Sequence, residues 1–177
     1  MATLILDASE LLTMRGPQGP RRGRDRDALG LLRDGAVLVE NGLIVDCGPR
    51  AKVLAHPQAK GADTLSAGGR VVLPGFVDSH THPVFAAPRL DDFTARVKGL
   101  GYAEIARGGG GIMSTVIGVR GSTEAELTAG LRRRAFDFLA SGTTTIEAKS
   151  GYGLDLENEL KILRALRSAA RRGPLEI

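Results

Sequence analysis

From residue 71 onward the hydrophobic pattern switches repeatedly between the two-residue period of a strand and the 3.6-residue period of a helix, and few folds accommodate that alternation. Val71-Val72-Leu73 runs into Pro74-Gly75, which breaks the chain, so a fresh strand is expected from Phe76 to His82. Thr123, with Glu126 three residues later, forms a capping box. The helix it opens carries Leu127, Leu131, Ala135 and Phe138 on one face and ends before Gly142. The β-branched run Thr143-Thr144-Thr145-Ile146 continues to Lys149 as a second strand. A second helix starts after Asp155, with an expected apolar stripe of Leu156, Leu160, Leu163 and Leu166. Arg171-Arg172-Gly173-Pro174 then places cations at the negative end of that helix, Gly past its end and Pro to stop it. Leu175-Glu176-Ile177 opens a further strand. This order predicts an α/β fold of parallel strands joined by crossover helices. A closed barrel of eight such units needs about 250 residues. Two units and a fraction are therefore expected to be the N-terminal piece of a longer chain.

The first part of the chain reads differently. Strands are expected over residues 3–7 and 36–47, the second region folded as a hairpin at Asn41-Gly42, a dipeptide suited to the positive φ angles of a two-residue turn. Between them, residues 15–27 form a basic segment dense in Gly and Pro, read as a mobile surface loop. A domain boundary is expected near residue 70, dividing residues 1–70 from residues 71–177.

Composition narrows the function classes. A hydrophobic fraction of 42% with 25% charged residues permits a packed core and argues against general disorder. The formal charge of +4 raises nucleic acid as a partner, yet the basic residues lie in the loop and on helical stretches without interleaved aromatics. Solvated helix faces are the better reading, and no nucleic-acid partner is expected. A single cysteine, Cys47, excludes an internal disulfide and fits a reducing compartment; it reads as a small core residue. The sequence has no run of about 18 apolar residues, and its first residues lack the pattern of a signal peptide. No membrane partner and a cytoplasmic location are the expectations.

The chemistry is concentrated at the end of the strand that starts at Phe76. Residues i and i+2 of a strand share a face, so His80 and His82 project together. At the carboxyl end of a barrel strand they would enter an active-site mouth. Two converging imidazoles suit one divalent metal, zinc or iron. The Gly-rich stretch at residues 108–111 lacks the following Lys-Ser/Thr of a phosphate-binding loop and reads as a flexible loop at the site. His56, in the first part of the chain, reads as a surface residue.

Pro74-Gly75-Phe76-Val77-Asp78-Ser79-His80-Thr81-His82 resembles the first-strand metal sequence of the amidohydrolase superfamily. Val84-Phe85 with Arg89, the stretch from Tyr102 to Thr115, and Glu147-Ala148-Lys149-Ser150-Gly151-Tyr152-Gly153-Leu154 resemble the imidazolonepropionase family within it. The likeness is dense over residues 70–177 and loose over residues 36–50, and residues 149–154 discriminate best. It implies a metal-dependent-hydrolase TIM-like (β/α)8 barrel, here truncated after about two βα units, preceded by part of a small β-sandwich domain in residues 1–70. It implies hydrolysis of 4-imidazolone-5-propanoate to N-formimidoyl-L-glutamate in histidine degradation, with that small molecule as the substrate partner. His80 and His82 would bind the metal, zinc or iron, and Arg89 and Tyr152 the substrate. Lys149 is placed as a structural or supporting residue. A homodimer is among the expectations for the full-length enzyme.

The chain departs from the family pattern in one respect. A catalytic zinc takes three protein ligands and a water, and the family's remaining metal ligands, its second substrate histidine and its acid/base carboxylate come from later strands. No catalytic residue is therefore assigned within these 177 residues, and the chain is expected to have little or no activity by itself. Two other readings stay open: a sister amidohydrolase such as a guanine or cytosine deaminase or a dihydroorotase, which shares the His-x-His strand, and a non-catalytic remnant.

Overall fold

The computed structural model describes residues 1–16, 19–171 and 173–177. It divides into two compact units, Met1–Pro74 and Gly75–Ile177.

The first unit contains β1 (Ala2–Leu6), β2 (Glu10–Leu12), β3 (Leu31–Leu32), β4 (Gly35–Glu40), β5 (Leu43–Pro49), α1 (Arg50–Leu54), β6 (Asp63–Ser66) and β7 (Val71–Val72). One sheet has the order β5-β4-β1-β6 and a smaller one the order β3-β2-β7. In β1 the two-residue period is direct: Leu4 and Leu6 are buried and pack with Ala36, Leu38 and Val53. The hairpin forms between β4 and β5, with Asn41 at φ 52° and Gly42 at φ 78°, the pair of positive angles that a right-twisted two-residue turn requires. Of the segment expected to be one mobile loop, residues 23–27 form a short 3-10 helix (Gly23–Asp27), while Pro17 and Gln18 lie outside the described residues. Cys47 is half-buried, and burial pushes its thiol above the ordinary range, which suits packing and not nucleophilic attack.

The second unit runs through β8 (Phe76–Thr81), α2 (Leu90–Val97), α3 (Tyr102–Arg107), α4 (Ile112–Gly121), α5 (Glu124–Ala140), β9 (Thr143–Ala148) and α6 (Leu156–Ala170). β8 and β9 pair in parallel, with Phe76 opposite Thr143 and Thr81 opposite Ala148. Glu176 adds a single parallel bridge to Thr145 on the other side of β9. Helix α5 begins with the capping box: Thr123 Oγ1 accepts from Glu126 N at 3.2 Å, and Glu126 Oε2 accepts from Thr123 N at 2.8 Å. Its face of Leu127 and Leu131 packs on α6 and on Val84 and Val119, while Ala135 packs with Ile146 and Leu175.

Helix α6 corrects one expectation. Leu156, Leu160 and Leu163 are exposed, and the buried face is Ile162, Ala165, Leu166 and Ala169. Alanines at 165 and 169 let α5 and α6 approach closely, whereas leucines at those positions would hold the axes apart. Of the four residues that close α6 in the sequence, Arg172 lies outside the described residues. Among the described residues no helix is long and apolar enough to cross a membrane.

Candidate functional site

The carboxyl ends of β8 and β9 carry the polar residues that the sequence singled out. His80 is the fifth residue of β8 and His82 lies just past its end. Their rings are 5.2 Å apart between centroids and nearly perpendicular, at 76°. Asp78, one strand period earlier, accepts the backbone N–H of His80 at 3.2 Å. The Thr81 carbonyl, at the end of β8, accepts from Lys149 N, just past the end of β9, at 2.8 Å, which brings the two strand ends together.

That junction brings in a residue the sequence reading passed over. Glu147 Oε2 lies 3.8 Å from His80 Nδ1, and Glu147 Oε1 lies 2.7 Å from Lys149 Nζ. The signal was present: Glu147 and Lys149 are spaced i, i+2 across the end of β9, as His80 and His82 are across the end of β8. The carboxylate thus lies between the Lys149 side chain and the His80 ring.

Tyr152, in the loop after β9, meets the group from the other side. Its ring centroid is 5.6 Å from that of His82. Gly151 makes this approach possible, for its φ is 142° and a Cβ there would lie 2.9 Å from His82 Cε1 and 3.0 Å from His82 Nδ1. His82 Nδ1 is itself buried and has no hydrogen-bond partner among the described residues.

Arg89 is not part of this group. It stands at the N-terminal boundary of α2 with Nε 3.9 Å from Asp92 Oδ2, and Asp92 Oδ2 accepts the N–H of Gly111 at 2.9 Å. Arg89 and Asp92 line a cavity of about 470 Å³ together with Gly108, Gly109, Gly110 and Ser114, a set that includes none of His80, His82 or Tyr152. The glycine stretch, expected to be a flexible loop, is therefore fastened to α2 through Asp92. His56 caps the short 3-10 helix Pro57–Ala59, its Nδ1 accepting from Gln58 N at 3.2 Å, in the first unit.

The donor chemistry of two adjacent imidazoles fits a divalent ion, and the orphaned Nδ1 of His82 is a nitrogen still lacking a partner. Among the described residues, however, no group of three or more His, Cys, Asp or Glu side chains is arranged to hold a metal. The residues fit half of such a site.

No protein-family model matches the chain. A stretch of 170 residues, 95% of the chain, is 48% identical to the imidazolonepropionase of Solibacter usitatus. Over nearly its whole length the chain is similar to imidazolonepropionases. It spans 40% of the length of that relative. In structure, the chain resembles a guanine deaminase from Bradyrhizobium japonicum, with a TM-score of 0.63 at 22% identity over 97% of this chain and 33% of the deaminase. It also resembles the E241Q mutant of the atrazine chlorohydrolase TrzN from Arthrobacter aurescens complexed with zinc and atraton, with a TM-score of 0.52 at 20% identity over 96% of this chain and 33% of that one. These likenesses give the fold: α/β, of the amidohydrolase kind, over about a third of each neighbour.

Proposed function

We propose that this chain supplies the first-strand half of the active site of a cytoplasmic imidazolonepropionase, which opens the ring of 4-imidazolone-5-propanoate with water to give N-formimidoyl-L-glutamate. The observation that carries the reading is the convergence of His80, His82 and Tyr152 at the carboxyl ends of two parallel strands, in a chain so similar to the family. On this reading residues 75–177 are the first βα units of a (β/α)8 barrel and residues 1–74 part of a small β-sandwich domain, with a homodimer as the expected full-length assembly.

His80 and His82 would hold one divalent metal, zinc or iron; the zinc named with the TrzN structure supports a divalent ion without choosing between them. When bound, such an ion supplies Lewis acidity and a water nucleophilic near neutral pH. Glu147, 3.8 Å from His80 Nδ1, favours the orientation in which that nitrogen carries its proton, leaving Nε2 as the donor. Tyr152 would stack on, or donate a hydrogen bond to, a small heterocycle held beside His82. Arg89 would grip the propanoate through two parallel N–H···O bonds, after exchanging its present neighbour Asp92 for the substrate carboxylate.

The test is turnover of 4-imidazolone-5-propanoate by a full-length protein that carries these residues, with metal content measured alongside. His80→Ala and His82→Ala are each expected to lower both metal content and turnover by at least about a hundredfold, as removal of a ligand from a catalytic site does. Deamination of guanine without imidazolone hydrolysis, or metal content unchanged in both variants, would reject the reading.

A further inference from the structure

We infer that Glu159 is a positioning residue: its carboxylate sets the loop that holds Tyr152 against His82. Glu159 Oε1 accepts two backbone N–H groups, from Gly153 and from Leu154, each at 2.8 Å. Those two amides directly follow Tyr152, so the carboxylate fixes the backbone on which the phenol is mounted. The reach is the natural one for a helical residue. Side chains lean toward the N-terminus of their helix, and Glu159, near the start of α6, leans back over the loop that precedes it.

Helix capping does not account for the contact. The first turn of α6 is capped by Asp155, whose Oδ1 accepts Asn158 N at 2.8 Å. The partners of Glu159 lie outside the helix, in the loop. The loop also has a shape that relaxes without such a clamp. Leu154 is held at φ 55°, in the left-handed region that a branched apolar residue avoids. Gly153 sits so close to α6 that a Cβ would lie 2.5 Å from Glu159 N and 2.7 Å from Asn158 C.

A second arm holds the same turn from the opposite side. Arg120, in the last turn of α4, donates through Nε to the Gly153 carbonyl at 2.9 Å, and another of its nitrogens lies 3.1 Å from Asp155 Oδ2. Gly153 therefore has its N–H bound by Glu159 and its C=O bound by Arg120. With both groups of one peptide neighbour fixed, the Tyr152 ring has little freedom except rotation of its own side chain. That ring packs against the apolar core between α5 and α6 and ends 5.6 Å from His82.

The inference rests on the proposed function only in treating Tyr152 as a substrate contact; the clamp itself is tested without any turnover. With two tyrosines, three histidines and no tryptophan in the chain, the aromatic resonances separate readily in proton NMR. The wild-type chain is expected to show a Tyr152–His82 cross-peak, a His80–His82 cross-peak, and amide exchange at Gly153 and Leu154 slowed at least about tenfold relative to an open chain. Glu159→Ala is expected to lose the Tyr152–His82 cross-peak and the slowed exchange while keeping the His80–His82 cross-peak. Glu159→Gln retains a carbonyl oxygen as acceptor and is expected to restore both. Open-chain exchange of the two amides in the wild type, survival of the Tyr152–His82 cross-peak in the alanine variant, or its loss in the glutamine variant would each overturn the inference. If the alanine variant loses every cross-peak, the wild-type exchange rates and the glutamine variant decide.

Discussion

Gly151 shows how tightly one residue can be constrained by the side chain it meets. Its φ of 142° lies where L side chains rarely go, and any Cβ would press on the His82 ring. Gly151→Ala is expected to cost about 1–3 kcal/mol in urea unfolding and to move the His82 ring resonances; a variant with wild-type stability and unshifted His82 signals would contradict this. Glu159 adds a prediction in pH. Burial pushes its carboxyl up, but the N–H of Leu154, the Ser150 hydroxyl and the N–H groups of Gly153 and Gly151 together outweigh burial and leave it below the ordinary range. A carboxyl with a depressed folded pKa contributes stability above its unfolded pKa, and that stability fades as pH falls through the folded value. Glu159→Gln is therefore expected to narrow the loss of stability between about pH 7 and about pH 3, measured as the difference in urea midpoint from wild type across that range. The polar residues at the β8 end were legible because strand alternation makes His80 and His82 neighbours by arithmetic. Glu147 and Glu159 were not, because their partners depend on which strand pairs with β8 and on how a helix leans over the preceding loop.

Helix α6 gives the same lesson at the scale of an element. Its sequence offers two faces of helical spacing that share Leu166, Leu156–Leu160–Leu163–Leu166 and Ile162–Ala165–Leu166–Ala169, and periodicity alone does not say which one meets α5. The larger residues suggested the first face, while close packing selected the second. Helix α5 held no such ambiguity, since Leu127, Leu131 and Ala135 form its one apolar stripe after a strong capping box. The two faces are distinguished by substitution. Ile162→Ala, at a fully buried site on the second face, is expected to cost about 2–5 kcal/mol. Leu156→Ala, at a residue 76% exposed, is expected to change stability by less than about 0.5 kcal/mol. Comparable losses in urea unfolding at both positions would show that α6 uses the leucine face. The three helices α2, α3 and α4 were missed as elements in the sequence, and their shortness and intervening glycines explain it: helices of six to ten residues carry too few turns for a clear 3.6-residue signal.

At the scale of the whole molecule, the parallel pattern read from the sequence is realised in β8 and β9, yet two strands give those residues little cover. Among the described residues β8 pairs only with β9, so its other edge presents open N–H and C=O groups. Phe76 and Val77 on that strand are 57% and 68% exposed. An open edge combined with apolar side chains is a template for pairing with another chain, and parallel two-stranded sheets gain little stability alone. The 177-residue chain is accordingly expected to self-associate at concentrations on the order of tens of micromolar, seen as a rising average mass in sedimentation equilibrium. Val77→Lys places a charge on the exposed edge strand, a common guard against such pairing, and is expected to lower that mass toward the monomer while leaving the His80–His82 cross-peak in place. Phe136, on α5 and 63% exposed, provides the control. If Phe136→Lys suppresses association and Val77→Lys does not, a helix surface and not the strand edge drives it. If the wild type is monomeric throughout, the edge of β8 is protected by the chain itself.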